Sequence, residues 1–293
     1  MKIAILGGAG KMGQWLARVL GENGEDLLLV DRNPLALIEA GERLCMRTSN
    51  RNCDAAGADA VIIAVPIDKF ESTVREFAVF AQTGQIVIDI TSVKGMPVEI
   101  MHRLLPQSRI LGTHPVFGPG AAGFRGHNVV LTPRDQADEA LTSKVQAYLE
   151  TLGARVSVMS PAKHDHLMAA VLGLAHYIAI TAGDALLSQP DLKQMEAIGG
   201  MTFKALLTLI ESVLSEDPAL YASIQMHLPT LPDMQSDFVT RSGAWAEMVR
   251  AGDEKAFIQR MTALKERLRE LDLDTARAYG NMYKLADSEQ AAG

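Results

Sequence analysis

The chain has 293 residues, 48% of them apolar and 22% charged, enough for two domains with separate cores. Its net charge of −7 gives no electrostatic basis for binding nucleic acid or an anionic membrane. No apolar run is expected to reach the roughly 18 residues of a membrane span.

Lys2–Leu6 reads as a short strand that runs directly into Gly8-Ala9-Gly10-Lys11-Met12-Gly13. This is G-x-G-x-x-G placed between a strand and a helix expected over 11–20, the context that the dinucleotide-binding motif requires. Gly8 is expected to make the tight turn, Gly10 to let a pyrophosphate approach the backbone, and Gly13 to let helix and strand pack closely. The helix-start N–H groups, through Ala9, Lys11 and Met12, would hold the phosphates. Asp26–Val30 is a second strand, and Asp31 closes it 18 residues after Gly13. An acid there accepts both ribose hydroxyls and repels a 2′-phosphate, so NAD is expected over NADP. Arg32 beside it would favour NADP only if it turned inward; otherwise it is a solvated surface residue.

Further strands are expected at 59–65, 85–90, 109–112 and Asn128–Thr132, separated by helical stretches. Short apolar runs alternating with helices indicate a parallel sheet buried on both faces, a doubly wound Rossmann-type α/β domain over 1–160. Val65-Pro66 and Thr91 fall at strand ends, where they would line the cofactor crevice. Pro66 also suits a helix start. Ser92 and Lys94 follow the 85–90 strand, and His114 follows the 109–112 strand. Neighbouring strand ends would bring Ser92 to His114, where a hydroxyl can fix the imidazole tautomer and leave one nitrogen as a base. From spacing alone, a structural loop histidine is an equal reading.

Beyond Ser160 the pattern becomes helical, over 164–187, 195–214, 219–227, 230–249 and 254–286, with a short polar tail. This is an all-helical domain over 161–293. Its first helix is apolar all round, which calls for burial against a partner and hence a homodimer. His164-Asp165-His166 suggests a metal only weakly. Histidines two apart face different ways and no third ligand is suitably spaced, so a cap or pocket role is preferred and no metal is expected. Cys45 and Cys53, without a metal-spaced cluster and with no signal peptide in view, fit a reducing cytoplasm.

Thr113-His114-Pro115-Val116-Phe117-Gly118-Pro119, preceded by Asp89-x-x-Ser92-Val93-Lys94, resembles the prephenate and arogenate dehydrogenases. The likeness continues through Arg125-Gly126, Ser160-Pro161-x-x-His164-Asp165, Gly173-Leu174-Ala175-His176 and Pro218-x-Leu220-Tyr221. It is closest to the short, single-function type. The resemblance implies an NAD-dependent oxidative decarboxylation in aromatic amino-acid biosynthesis, from prephenate to 4-hydroxyphenylpyruvate or from arogenate to tyrosine. It makes His114 the base and gives Ser92 the tasks of orienting it and touching the nicotinamide. It also places His176 on the substrate side and Asp165 at the pocket entrance.

One position departs from the pattern. Where the family has a carboxylate-binding arginine, counting back from Pro218, this chain has Ser212. Serine cannot form a bidentate charge pair. Lys204 is a candidate replacement, although it lies about 80° around the helix. The departure keeps open a modified cyclohexadienyl or other hydroxy-acid substrate in specialised metabolism. Two other classes stand beside this one. A β-hydroxyacid dehydrogenase would need a lysine on the long helix, and none occurs over 167–187. A non-catalytic NAD-binding protein would have no need of both Ser92 and His114.

Overall fold

The computed structural model describes residues 1–271, 277, 278 and 280–284. Two compact units make up the chain: Met1–Met168 together with Met226–Leu228, and the remainder from Ala169 onward.

The first unit is built on one eight-stranded sheet, in the order β3-β2-β1-β4-β5-β6-β7-β8. The strands are β1 Lys2–Leu6, β2 Asp26–Val30, β3 Arg47–Ser49, β4 Ala60–Ile63, β5 Ile86–Asp89, β6 Arg109–Pro115, β7 Asn128–Thr132 and β8 Arg155–Val158. All pairings are parallel except β6 with β7. Helices α1 Lys11–Glu22, α2 Pro34–Leu44, α3 Ile67–Ala78, α4 Gly95–Leu104, α5 Glu139–Thr151 and α6 Pro161–Met168 connect the strands or follow them. The central strands are buried on both faces because both of their alternating sets are apolar. Ile3 and Ile5 pack with Trp15, Leu16 and Leu29, whereas Ala4 and Leu6 pack with Val61, Phe70 and Phe77.

The sheet differs from expectation at its edges. β3 and β8 were not foreseen, because their sequences are short and half polar and their side chains largely exposed. β6 runs on to Pro115 because it pairs antiparallel with β7, His114 opposite Val130. His114 therefore sits within a strand rather than in the loop after it.

The second unit begins with a π-helical turn, Ala169–Leu174, and continues through α7 Ala175–Leu187, α8 Leu192–Ile198, α9 Met201–Leu214, α10 Pro218–His227, α11 Leu231–Ala251 and α12 Glu254–Glu270. The helix expected over 195–214 is broken where Gly199 and Gly200 take extended backbone. The expected continuation to 286 and the polar tail run into residues outside those described. One helical stretch, Pro161–Leu187, is 27 residues long with a window of mean hydropathy 1.5. It has the length and composition to cross a membrane, which corrects the expectation that no run would. Only 17% of that window is buried within this chain.

Candidate active site

The glycine-rich loop is dictated by close backbone approach. Gly7, not Gly8, takes the positive φ, at +85°, and a Cβ there would meet Ala64 O at 2.7 Å. This corrects the assignment of the turn to Gly8, whose own hydrogen would be replaced by a clash with Leu29. A Cβ on Gly13 would lie 2.3 Å from Gly7 O, so helix α1 can start only over a bare backbone. No side chain caps α1 and no acid lies in its first turn. Its N–H groups at Lys11, Met12 and Gly13 are thus suited to an anionic ligand. Asp31 accepts the Ala9 N–H at 3.1 Å and the Asn33 N–H at 3.0 Å. Asp31, Arg32, Gly7, Gly10, Asn52, Val65 and Pro66 line one cleft of about 240 Å³. This cradle of glycines, an uncapped helix start and an acid fits a dinucleotide. A wider cleft of about 650 Å³ lies at the amino-terminal end of β2, lined by Arg18, Arg43 and Arg47 among others. It is at the wrong edge of the sheet for the chemistry below.

Asp89 ends β5 opposite Gly112 of β6. Lys94 is fully buried, and its ammonium binds Asp89 Oδ1 and, at 2.6 Å, the Thr113 carbonyl. Burial lowers the Lys94 pKa, while Asp89 works against that shift. Thr91 is also buried, with its hydroxyl 2.7 Å from Asp89 Oδ1. It braces this turn at the end of β5. Lys94 thus fastens the end of β5 to the carbonyl that immediately precedes His114.

His114 is 3% exposed. Its Nδ1 lies 2.8 Å from His164 Nε2, and His164 Nδ1 lies 2.8 Å from Asp165 Oδ1. The Asp165 carboxylate also accepts the N–H of Lys94 at 2.7 Å and of Gly95 at 2.8 Å, at the start of α4. The carboxylate thus occupies the capping position at the start of this helix. A carboxylate only accepts, so His164 carries its proton on Nδ1. With the His164 ring neutral, its bare Nε2 accepts from His114 Nδ1–H. The chain of donors leaves His114 Nε2 as a lone pair. Burial, the largest cause, holds the His114 pKa well below the ordinary histidine value. The site therefore presents a neutral imidazole with a fixed tautomer.

Sequence reasoning missed His164 as the partner of His114. Ser92 is half-buried and has no hydrogen bond to the imidazole, so His164 holds the orienting position expected of Ser92. Asp165 is buried behind His164 rather than standing at an entrance. His166 faces outward, as the two-residue spacing requires.

In the second unit, His176 on α7 packs perpendicular to Tyr221 with ring centroids 4.7 Å apart. Its Nδ1 is buried without a hydrogen-bond partner, and burial lowers its pKa. The π-helical turn lies just before it. Gln225 Nε2 donates to Gly173 O at 2.9 Å, and Gln235 Nε2 donates to Gln225 Oε1 at 2.7 Å. Ser212 is exposed on α9, and its hydroxyl donates back to Leu209 O. Gly183 of α7 meets Ile210 and Leu214 of α9, whereas His176 meets Tyr221 of α10. Lys204 precedes Ser212 on α9 by about 12 Å along the helix axis.

Comparison with known proteins gives the family of both units. Residues 16–158 match the family model for the nucleotide-binding domain of prephenate dehydrogenase, and residues 160–263 match that for its dimerization domain. A probable arogenate/prephenate dehydrogenase of Methanocaldococcus jannaschii is 31% identical over 89% of this chain. The chain spans 59% of that relative's length, and 56% and 64% of two bacterial T-proteins. A 4-amino-4-deoxyprephenate dehydrogenase of Streptomyces pristinaespiralis is 24% identical over 96% of both chains. Among solved structures, prephenate dehydrogenase from A. aeolicus in complex with hydroxyphenyl propionate and NAD+ superposes with a TM-score of 0.76. It is 22% identical over 92% of this chain and 98% of its own, a likeness of fold.

Proposed function

The chain belongs to the prephenate dehydrogenase family, and on that premise we propose that it oxidatively decarboxylates prephenate or arogenate with NAD. The observation that carries this reading is the buried Asp165–His164–His114 series; we assign the proton of a neutral His164 to Nδ1, facing Asp165, which leaves His114 Nε2 unprotonated. His114 accepts the proton of the ring C4 hydroxyl as that carbon is oxidised. NAD, when bound, supplies the hydride acceptor. Loss of the ring carboxylate as CO2 then gives the aromatic product. The imidazolium formed on His114 is stabilised through His164 by the Asp165 carboxylate, so charge develops against a prepared partner. Gly10, the α1 N-terminus and Asp31 hold the dinucleotide. Ser92, half-buried beside this edge, is proposed to touch the nicotinamide, and His176 the substrate.

Assembly as a homodimer is part of the same proposal. The apolar helical surface needs a cover, and the second unit matches a dimerization domain. Ile258, Met261, Leu264 and Leu268 add an exposed stripe along α12 at helical spacing, suited to a second copy.

A second reading has its own support. Ser212 replaces the expected carboxylate clamp, and the Streptomyces relative matches end to end. A ring bearing a 4-amino group would present an N–H to the same His114 Nε2.

The test is formation of reduced nicotinamide from NAD with prephenate, arogenate and 4-amino-4-deoxyprephenate in parallel, beside His114→Asn. The reading requires turnover of one of the first two, reduced about 10³-fold in the variant. Turnover of the amino substrate alone selects the second reading. Turnover of none, in protein that binds NAD, overturns both.

A further inference from the structure

The ribose end of the cofactor cleft holds a cation in reserve. Arg32 follows directly on Asp31 and lines the same cleft. Its Nη2 is bound to Glu76 Oε1 at 2.6 Å. The other Glu76 oxygen accepts from Asn52 Nδ2 at 3.0 Å, and Asn52 also lines the cleft. Glu76 projects from α3, a rigid element whose Phe70, Val74 and Phe77 are fully buried. One carboxylate, each oxygen in use, thus fixes the two polar side chains that flank Asp31.

We propose that Glu76 is a determinant of cofactor specificity, holding Arg32 away from the position where a 2′-phosphate would bind. The inference rests on the dinucleotide reading above. A 2′-phosphate dianion needs a cation, preferably a guanidinium that can bond it bidentately. Arg32 is the guanidinium adjacent in sequence to the ribose-binding acid, and Glu76 occupies it. The Arg32 and Glu76 side chains are 55% and 54% exposed, so the pair adds little to stability. Its effect is positional: it selects one rotamer of Arg32 and adds a second negative charge near Asp31. Selection against the 2′-phosphate then has two sources, repulsion by Asp31 and sequestration of Arg32 by Glu76.

Equilibrium titration of the intact protein with NADH and with NADPH, read by nicotinamide fluorescence, separates these sources without turnover. Wild-type protein is expected to favour NADH. Glu76→Ala, a substitution tolerated in a helix, is expected to shift the NADPH-to-NADH affinity ratio about fivefold towards NADPH, the upper end of what an exposed ion pair can withhold. Tightened NADPH binding should account for most of that shift. Arg32→Ala added to Glu76→Ala is expected to return the ratio to near the wild-type value. A ratio within twofold of wild type in Glu76→Ala overturns the proposal. So does a shift that survives in the double variant, since it would then come from lost charge alone. Protein that binds neither nucleotide overturns the dinucleotide reading itself, and the inference with it.

Discussion

His114 and His164 face each other nitrogen to nitrogen, Nδ1 to Nε2, across 2.8 Å. Two neutral imidazoles can share that contact only if one donates, and the Asp165 carboxylate decides which. His164→Phe keeps a ring in the space but removes the acceptor, so His114 is no longer held in one tautomer. The expected result is a fall in kcat of about 10²-fold, the scale of losing a partner that orients a catalytic group, with the KM for NAD unchanged. Asp165→Asn should also lower kcat. In addition it should destabilise the fold, because the same carboxylate receives two N–H groups at the start of α4. Steady-state kinetics and urea unfolding on both variants check this. Full activity in His164→Phe would refute the assigned tautomer.

The depressed pKa of His114 links both activity and stability to pH on the acid side. In the folded protein its pKa is held well below 6.5, which is about its value in the unfolded chain. Between those two values the unfolded chain binds a proton that the folded protein does not. Stability is therefore whole above about pH 6.5 and falls as the pH drops below it, by about 1.4 kcal/mol per pH unit from this group. The loss ends once the pH passes the folded value. The neutral base persists over that same interval, so the acid limb of kcat/KM should lie below pH 6.5. Urea unfolding of wild type and His114→Asn between about pH 7 and pH 5.5 measures the linkage, and the slope should shrink in the variant. An acid limb at or above the ordinary histidine value would contradict the buried, neutral imidazole.

The parts of this site that were legible in the sequence are those made by neighbours in the chain. Strand, glycines, helix, strand and Asp31 fall within 31 residues, and each residue type has a local reason to be there. Even so, the positive φ belongs to Gly7, because the turn begins one residue before the G-x-G pattern. His164 was not legible, because it lies 50 residues from His114 and reaches it only through the placement of α6. In sequence, a His-Asp pair near a helix start looks like a cap. The π-helical turn before His176 left no signal either, since it depends on Gln225 and Leu231, more than 50 residues away. His114 itself stands out in the sequence through its motif. Its burial came from antiparallel pairing that strand periodicity does not reveal.

The π-helical turn supplies a test in the second unit. A π-turn inserts one residue into a helix and so resets which face the following residues present. Gln225 Nε2 caps the Gly173 carbonyl within this turn, three residues before His176. Gln225→Leu removes that donor and leaves the space filled. The histidine resonance of His176 is expected to titrate nearer its ordinary value as the ring loses its buried setting. The KM for the acid substrate should rise about tenfold, the cost of one polar contact, with kcat little changed. Gly173→Ala should disturb the same turn sterically, since a Cβ would meet Leu231 Cδ1 at 2.6 Å. An overpacked contact of this kind costs about 1–3 kcal/mol. An unmoved His176 titration in Gln225→Leu would refute the clamp.

Lys94 and Asp89 form a fully buried ion pair, each side chain at 0% exposure. Removing one partner strands the other charge in the core, so Lys94→Met is expected to cost about 3–5 kcal/mol. Asp89→Asn alone should cost less, because the Lys94 ammonium keeps the Thr113 carbonyl as a partner. The double variant should recover part of the loss, since neither charge is then stranded, and the cycle isolates the coupling between them. Catalysis should not recover in parallel. The Lys94 backbone N–H still reaches Asp165 in every variant, but the ammonium that tethers Thr113, and with it His114, is gone in both Lys94→Met proteins. Urea unfolding and kcat measured on the four proteins therefore separate two roles of one side chain. Additive losses of stability would show that the pair is uncoupled, and full activity in the double variant would show that the tether does not position the base.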